Sequence, residues 1–189
     1  MPQPTQRVDY GYTPPPAHTR GTLIYYDAFQ HTSDAELEQA LQTMQQMNFS
    51  RLVLYPLHEQ TVKRMSKQPV APFYKREQRL HDWKQDGAHR AVIIEGWDGK
   101  RKKYTPMEAA LRTLIDHYES PYFLLLTPEM ANQFASFSIF EEWISKISLV
   151  LTEEPKQLHP RLSKFSNRWR VAGETASSSD QRSPSDRDR

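Results

Sequence analysis

The stretch YYDAFQHTSDAEL, Tyr25 to Leu37, sits where a first apolar strand hands over to a first helix. In α/β proteins such a junction can hold a phosphate, because helical N–H groups and the positive end of the helix dipole point at the ligand. Asp27 and His31 offer a carboxylate and an imidazole there. Ser33-Asp34-Ala35-Glu36 has the spacing of a capping box, in which the helix satisfies its own first N–H groups. Asp34 and Glu36 also place carboxylates in the first helical turn, each stabilising the helix by about 0.3–1 kcal/mol through its dipole. They occupy the positive end that a triphosphate would need.

Other chemistry is excluded by specific residues. HEQTV, from His58, begins like a zinc-protease helix, but Val62 stands where the second histidine ligand belongs. Six glycines leave no nucleophile elbow, Walker loop or Gly-x-Gly-x-x-Gly turn. With no cysteine there is no disulfide framework, thiolate nucleophile or cysteine metal site, and no metal ligands are assigned. The seven histidines are scattered, and a lone histidine more often caps or faces solvent than ligates. GWDGKRKKYT gathers Lys100, Arg101, Lys102 and Lys103, with Asp98-Gly99 read as a tight bend. One reading of this run is a solvated turn. Another is capture of phosphate from a nucleotide or from an RNA or DNA backbone, with Trp97 and Tyr104 available to stack.

The elements that position these residues alternate. TLIYY, RLVLYPL, RAVIIEGW, YFLLLT and SLVL read as five short, continuously apolar strands. Between them, Leu37, Leu41 and Met44 form one helical stripe, and Met107, Leu111, Leu114 and Tyr118 another. HEQTVKRMSK and FYKREQRLHDWKQ read as helices broken by QPVAP, and PEMANQFASFSIFEEWI as a further helix. Thr105-Pro106-Met107-Glu108 predicts an N-cap threonine with proline in the first helical position. Strand and helix in alternation predict a Rossmann-like three-layer α/β sandwich around a five-stranded, mainly parallel sheet. Ligands bind such sheets beyond the carboxyl ends of the strands. The candidate site is therefore bounded by Asp27–Asp34, Tyr55–Lys63, Trp97–Thr105 and Thr127–Met130.

The 189 residues suit one core domain of about 150 residues with polar ends. Residues 1–20 read as a Pro-rich arm, 21–155 as the α/β domain, 156–172 as a C-terminal extension and 173–189 as a disordered tail. A formal net charge of +2 gives no global field toward nucleic acid or membrane. No apolar run approaches the roughly 20 residues of a membrane span, and MPQPTQRVDY lacks the apolar core of a signal peptide. The expected setting is cytoplasmic, away from membranes, and the sequence leaves the oligomeric state open.

From Lys102 onward, KKYTPMEAALRTLIDHYESPYFLLLTPEMANQFASFSIFEEWISKISLVLT resembles the nicotinate mononucleotide adenylyltransferase family of nucleotidyltransferases. Tyr104-Thr105 resembles the family's Tyr-Thr pair opening a helix. YFLLLTPEMAN resembles the strand and exit that follow, FEEW the aromatic-Glu-Glu turn and SLVLT the last strand. Upstream, PVAPFYKREQRL is similar to a Pro-rich segment leading into a Glu-x-Arg-Leu helix. The resemblance runs from Gly21 to Thr152.

It implies the nucleotidyltransferase fold and transfer of AMP from ATP to a pyridine mononucleotide, with Mg²⁺ and release of pyrophosphate. ATP and Mg²⁺ rest on the resemblance alone. Asp27, Tyr104, Thr105, Glu129 and Phe140 are then the residues implied to meet nucleotide or acceptor. Phe140 takes the place of a tryptophan that stacks on the pyridine ring. The departures concentrate on phosphate. In the family's Gly-Thr-Phe-Asp-Pro-x-His-x-Gly-His signature, anchored on Asp27, Ala28 replaces Pro, Gln30 the first His, Thr32 the Gly and Ser33 the second His. His31 is one place out of register. Glu129 stands for an Asp, Glu153 for a basic residue, and Ser166 and Arg168 are the nearest echo of a late phosphate motif.

Three readings follow. One is a nucleotide- or phosphate-binding protein, recognising a nucleotide or phosphorylated small molecule, with eroded or repurposed catalysis. The second is an active adenylyl- or cytidylyltransferase whose shifted site draws on His31, His58, Lys63, Arg64 and the basic run. The third is an RNA- or DNA-binding or scaffold module built on Lys100–Lys103.

Overall fold

The computed structural model describes residues 21–173. The expected arm at 1–20 and the tail beyond Gly173 lie outside the described residues. The elements run β1 (Thr22–Asp27), α1 (Asp34–Gln46), β2 (Arg51–Pro56), α2 (Glu59–Met65), α3 (Phe73–Gly87), β3 (Val92–Ile94) and α4 (Trp97–Arg101). They continue α5 (Met107–His117), β4 (Tyr122–Leu126), α6 (Pro128–Ser136), α7 (Phe140–Ile144), β5 (Ile147–Leu151) and α8 (Pro160–Lys164). A 3-10 turn, Ser166–Arg168, then leads into β6 (Trp169–Val171).

The sheet has six strands in the order β3-β2-β1-β4-β5-β6, and every described pairing is parallel. The expectation of five strands is corrected by β6. Its three residues, Trp-Arg-Val, bury only Val171, so they carry almost none of the apolar run that marks a strand in sequence.

Successive residues of each central strand point to opposite faces, and both faces are covered. Leu23 and Tyr25 pack under α1 and α3 with Leu37, Leu41, Leu80 and Trp83. Ile24 and Tyr26 pack against α5, α6 and α7 with Leu111, Phe134 and Trp143. Two cores separated by a parallel sheet are the reason its strands read as unbroken apolar runs. The stripes Leu37–Leu41–Met44 and Met107–Leu111–Leu114 are buried as their spacing requires.

Local signals differ in outcome. Ser33 caps α1 with the reciprocal Glu36 contact of a capping box. Thr105 does not cap α5: Pro106 holds that position without a side-chain bond. Thr105 is instead buried, its N–H donating to Thr61 Oγ1 and its hydroxyl accepting from Arg101 Nε. Asp98-Gly99 is not a bend either, because both lie within α4, which ends at Lys102 in a left-handed conformation. Gly99 is required there by contact, since an added Cβ would lie 2.2 Å from the Phe73 ring.

Candidate functional site

Strand order reverses its direction of growth between β1 and β4, and a crevice opens at that point beyond the carboxyl ends of the strands. Asp27 ends β1 and Thr127 follows β4. Leu57 follows β2, and the segment Ser66–Val70 forms the far wall. The cleft encloses about 550 Å³.

Its floor is held by a residue that sequence reasoning passed over. Arg76, on α3, is almost fully buried. Its Nη1 donates to the carbonyl oxygens of Ala28 and Leu57, both at 2.6 Å, and its Nε donates to Ala71. Glu59 Oε1 accepts from Nη2 at 3.2 Å, so the charge is paired. Burial pulls the guanidinium pKa down and Glu59 opposes that shift. One side chain thus ties the exits of β1 and β2 to the α2–α3 connection. Gln30 adds a second tie, its Oε1 accepting from the N–H of Ala71 at 2.7 Å. The signal in the sequence is that Arg76, Leu80 and Trp83 share one helical stripe. A charged residue on an apolar stripe is the informative exception.

The β1–α1 junction satisfies itself. Phe29 sits at a positive φ of 56°, in the left-handed region, with its ring buried edge-on against Tyr25 at 4.8 Å. Its N–H donates to Asp27 Oδ2 at 3.0 Å, and the Thr32 hydroxyl reaches the same oxygen at 3.4 Å. The N–H of Glu36 donates to Ser33 Oγ, and the N–H of Ser33 reaches back to Glu36 Oε1. These donors, which a phosphate would need, face carboxylate or hydroxyl oxygens of the chain itself. Desolvation raises the Asp27 pKa against the lowering effect of the Phe29 and Ala28 N–H groups, the Thr32 bond adding to that lowering.

Asp27, His31, Glu36 and Glu129 line the cleft, and among the described residues no lysine or arginine lines it. Leu57, Val62, Met65, Val70 and Met130 supply apolar surface. His58 and Lys63 are not brought to it. His58 caps α2, its Nδ1 accepting from the N–H of Gln60 at 3.2 Å. Lys63 points to solvent on α2. Among the described residues, no three His, Asp or Glu side chains gather closely enough to hold a metal ion. The described residues thus offer no three-ligand protein cage for Mg²⁺.

The other expected contacts are dispersed. Phe140 has no exposed surface and packs edge-on between Phe134 and Phe165, so it presents no ring face to a ligand. Tyr104 lies on the opposite side of α2 and lines a second pocket of about 380 Å³ with Arg64, Met107 and Phe137. Met65 borders both cavities. Arg168 is spent on the end of α7, where its Nε donates to the Ile144 carbonyl at 2.9 Å. Glu153 is exposed after β5. Lys100, Lys102 and Lys103 are exposed beside Tyr104, while Arg101 lies over Trp97 at 5.0 Å and bonds Thr105.

No family model matches the sequence, and no curated protein matches it. The structure is similar to a crystal structure described as a "Putative Nicotinate-nucleotide Adenylyltransferase from Vibrio parahaemolyticus", with a TM-score of 0.54. The two share 15% identity over 78% of this chain and 85% of the other. The chain shares the α/β fold of that structure. No described helix is long and apolar enough to cross a membrane.

Proposed function

We propose that this protein is a nucleotidyltransferase-fold binding protein that takes the base and ribose of a nucleotide into the switch-point cleft and does not transfer an adenylyl group. The lining of the cleft carries this reading: among the described residues, three carboxylates, one imidazole and no fixed cation surround about 550 Å³. That volume lies within the roughly 300–1,000 Å³ of small-molecule sites. Its apolar wall suits a ring, and Thr127 and Gln133 add polar edges.

Adenylyl transfer uses no protein nucleophile. An acceptor phosphate attacks the α-phosphorus, and the rate comes from positioning and from cations and N–H donors matched to the developing charge. Here the junction N–H groups are taken by Asp27 and by the Ser33–Glu36 box, and the remaining charges are negative. A neutral base or a cationic pyridinium ring fits that field; a polyphosphate does not.

The test is a ligand panel read by thermal denaturation and by pyrophosphate release. A nucleoside or pyridine mononucleotide at ten times its dissociation constant should stabilise the fold by about 1.4 kcal/mol. ATP with Mg²⁺ should add nothing over adenosine, and pyrophosphate should stay at background across mononucleotide, sugar-phosphate and polyol-phosphate acceptors. Turnover with any acceptor overturns the non-catalytic assignment. Absence of stabilisation by every nucleoside at millimolar concentration overturns the binding assignment.

A further inference from the structure

The basic run and the charged side of α2 form a second surface, which meets the cleft only at Met65. Three contacts bring them together: His58 N–H on Asp98 Oδ2, Thr105 N–H on Thr61 Oγ1, and the Arg64 guanidinium over the Tyr104 ring at 4.5 Å. Lys63, Arg64 and Lys67 approach from the α2 side, and Lys100, Arg101, Lys102 and Lys103 from the other. Among the described residues, none of these seven has a carboxylate within ion-pair distance.

Most acids of this region are engaged by other groups, although Glu108 borders the pocket beside Tyr104 and the Glu77 carboxylate lies near Gly96. Asp98 is fully buried and accepts from the His58 N–H and the Tyr55 hydroxyl. Glu59 faces inward to Arg76 and the Phe73 N–H. Glu95 accepts from the Tyr118 hydroxyl and the Trp97 N–H, and Glu108 pairs with Arg112. In a chain whose net charge is only +2, this segregation leaves one face strongly cationic. Two aromatic rings lie in it, Tyr104 and Trp97, each covered by a guanidinium. Beside Tyr104 is a pocket of about 380 Å³ walled by Phe137 and Ile139.

We propose that this face binds single-stranded nucleic acid, with the lysines following the phosphates and bases stacking on the Arg64–Tyr104 and Arg101–Trp97 pairs. Unpaired cations supply affinity that ignores sequence. Stacking needs a base whose face is free, which a duplex does not offer.

The test is fluorescence anisotropy of the full chain with a labelled oligothymidylate of about 15 nucleotides. Four phosphate contacts predict affinity about 50-fold weaker at 200 mM than at 50 mM salt. The K100E/K102E double variant, altered only at exposed positions, should bind at least about tenfold more weakly and with a shallower salt slope. Tyr104→Ala should cost about tenfold with the slope unchanged. Lys146→Glu, ahead of β5 at the opposite rim of the sheet, should change neither. No binding at 50 mM salt overturns the proposal. So does equal binding of duplex, of anionic vesicles or of an acidic peptide, or indifference to K100E/K102E. Because the probe carries no free nucleotide, failure here leaves the cleft assignment standing, and failure of the cleft leaves this one.

Discussion

Arg76 donates its Nη1–H to the carbonyl oxygen of Leu57 across 2.6 Å in buried surroundings. The same nitrogen holds Ala28 on the neighbouring strand exit. Removing the side chain leaves three carbonyl oxygens short of a donor and Glu59 short of its cation. Arg76→Ala should therefore destabilise the fold by about 3–5 kcal/mol, the usual cost of breaking a buried charged network. Arg76→Lys should recover only part, because one ammonium cannot reproduce the planar fork. Urea denaturation of the three proteins checks both, and equal midpoints would refute the account of the cleft floor.

Asp27 gives a pH signature. Burial raises its pKa in the folded state above the ordinary value of 3.8. Between those two values the unfolded chain has released the proton and the native protein keeps it, so the native state binds more protons. Stability from this group is then full below about pH 4 and declines as pH rises through the folded pKa. Asp27→Asn keeps an oxygen for the Phe29 N–H and removes the titration. Its melting temperature relative to the parent should rise between pH 4 and 7. A constant difference across that range would sink the assignment.

Much of the frame was legible because it is built from periodic apolar runs. Strands β1 to β5, the α1 and α5 stripes and the Ser33 capping box all follow from spacing within one segment. What escaped depends on partners distant in sequence. Thr105 has the local grammar of a cap, yet Thr61 and Arg101 claim it. Asp98-Gly99 reads as a turn until Asp98 is seen to hold the start of α2 from 40 residues away. Phe140 is aromatic at a plausible ligand position, but Phe134 and Phe165 enclose it. The acidity of the cleft was visible in Asp27 and Glu36, whereas its full extent required Glu129 to be placed on the same cavity.

Asp98 supports a prediction of its own. Asp98→Ala leaves the His58 N–H and the Tyr55 hydroxyl without their acceptor in the interior. The expected loss is about 2–4 kcal/mol, since each buried unsatisfied donor costs about 1–3 kcal/mol. Asp98→Asn retains one acceptor oxygen and should lose less. Chemical denaturation ranks the three proteins, and an alanine variant as stable as the parent would show that α2 and α4 are held by other contacts.

Glu129 tests whether charge rather than shape keeps phosphates out of the cleft. It is exposed in the first turn of α6, where its carboxylate touches the cavity and holds no structural hydrogen bond among the described contacts. Glu36 is a poorer choice, because its side chain completes the α1 capping box. Exchanging a negative for a positive charge at several ångströms from a phosphate is worth about 1 kcal/mol in a watery cleft. Glu129→Lys should therefore bind ADP about fivefold more tightly than the parent at low salt. The gain should fade toward 1 M salt, where the screening length shrinks to about 3 Å. Adenosine, which carries no phosphate, should bind both proteins alike. If adenosine and ADP respond equally, the substitution has reshaped the pocket and the electrostatic account of the proposed cleft fails. If only ADP responds, charge and not shape governs how the crevice meets a phosphate, and its carboxylates are what turn the phosphates away.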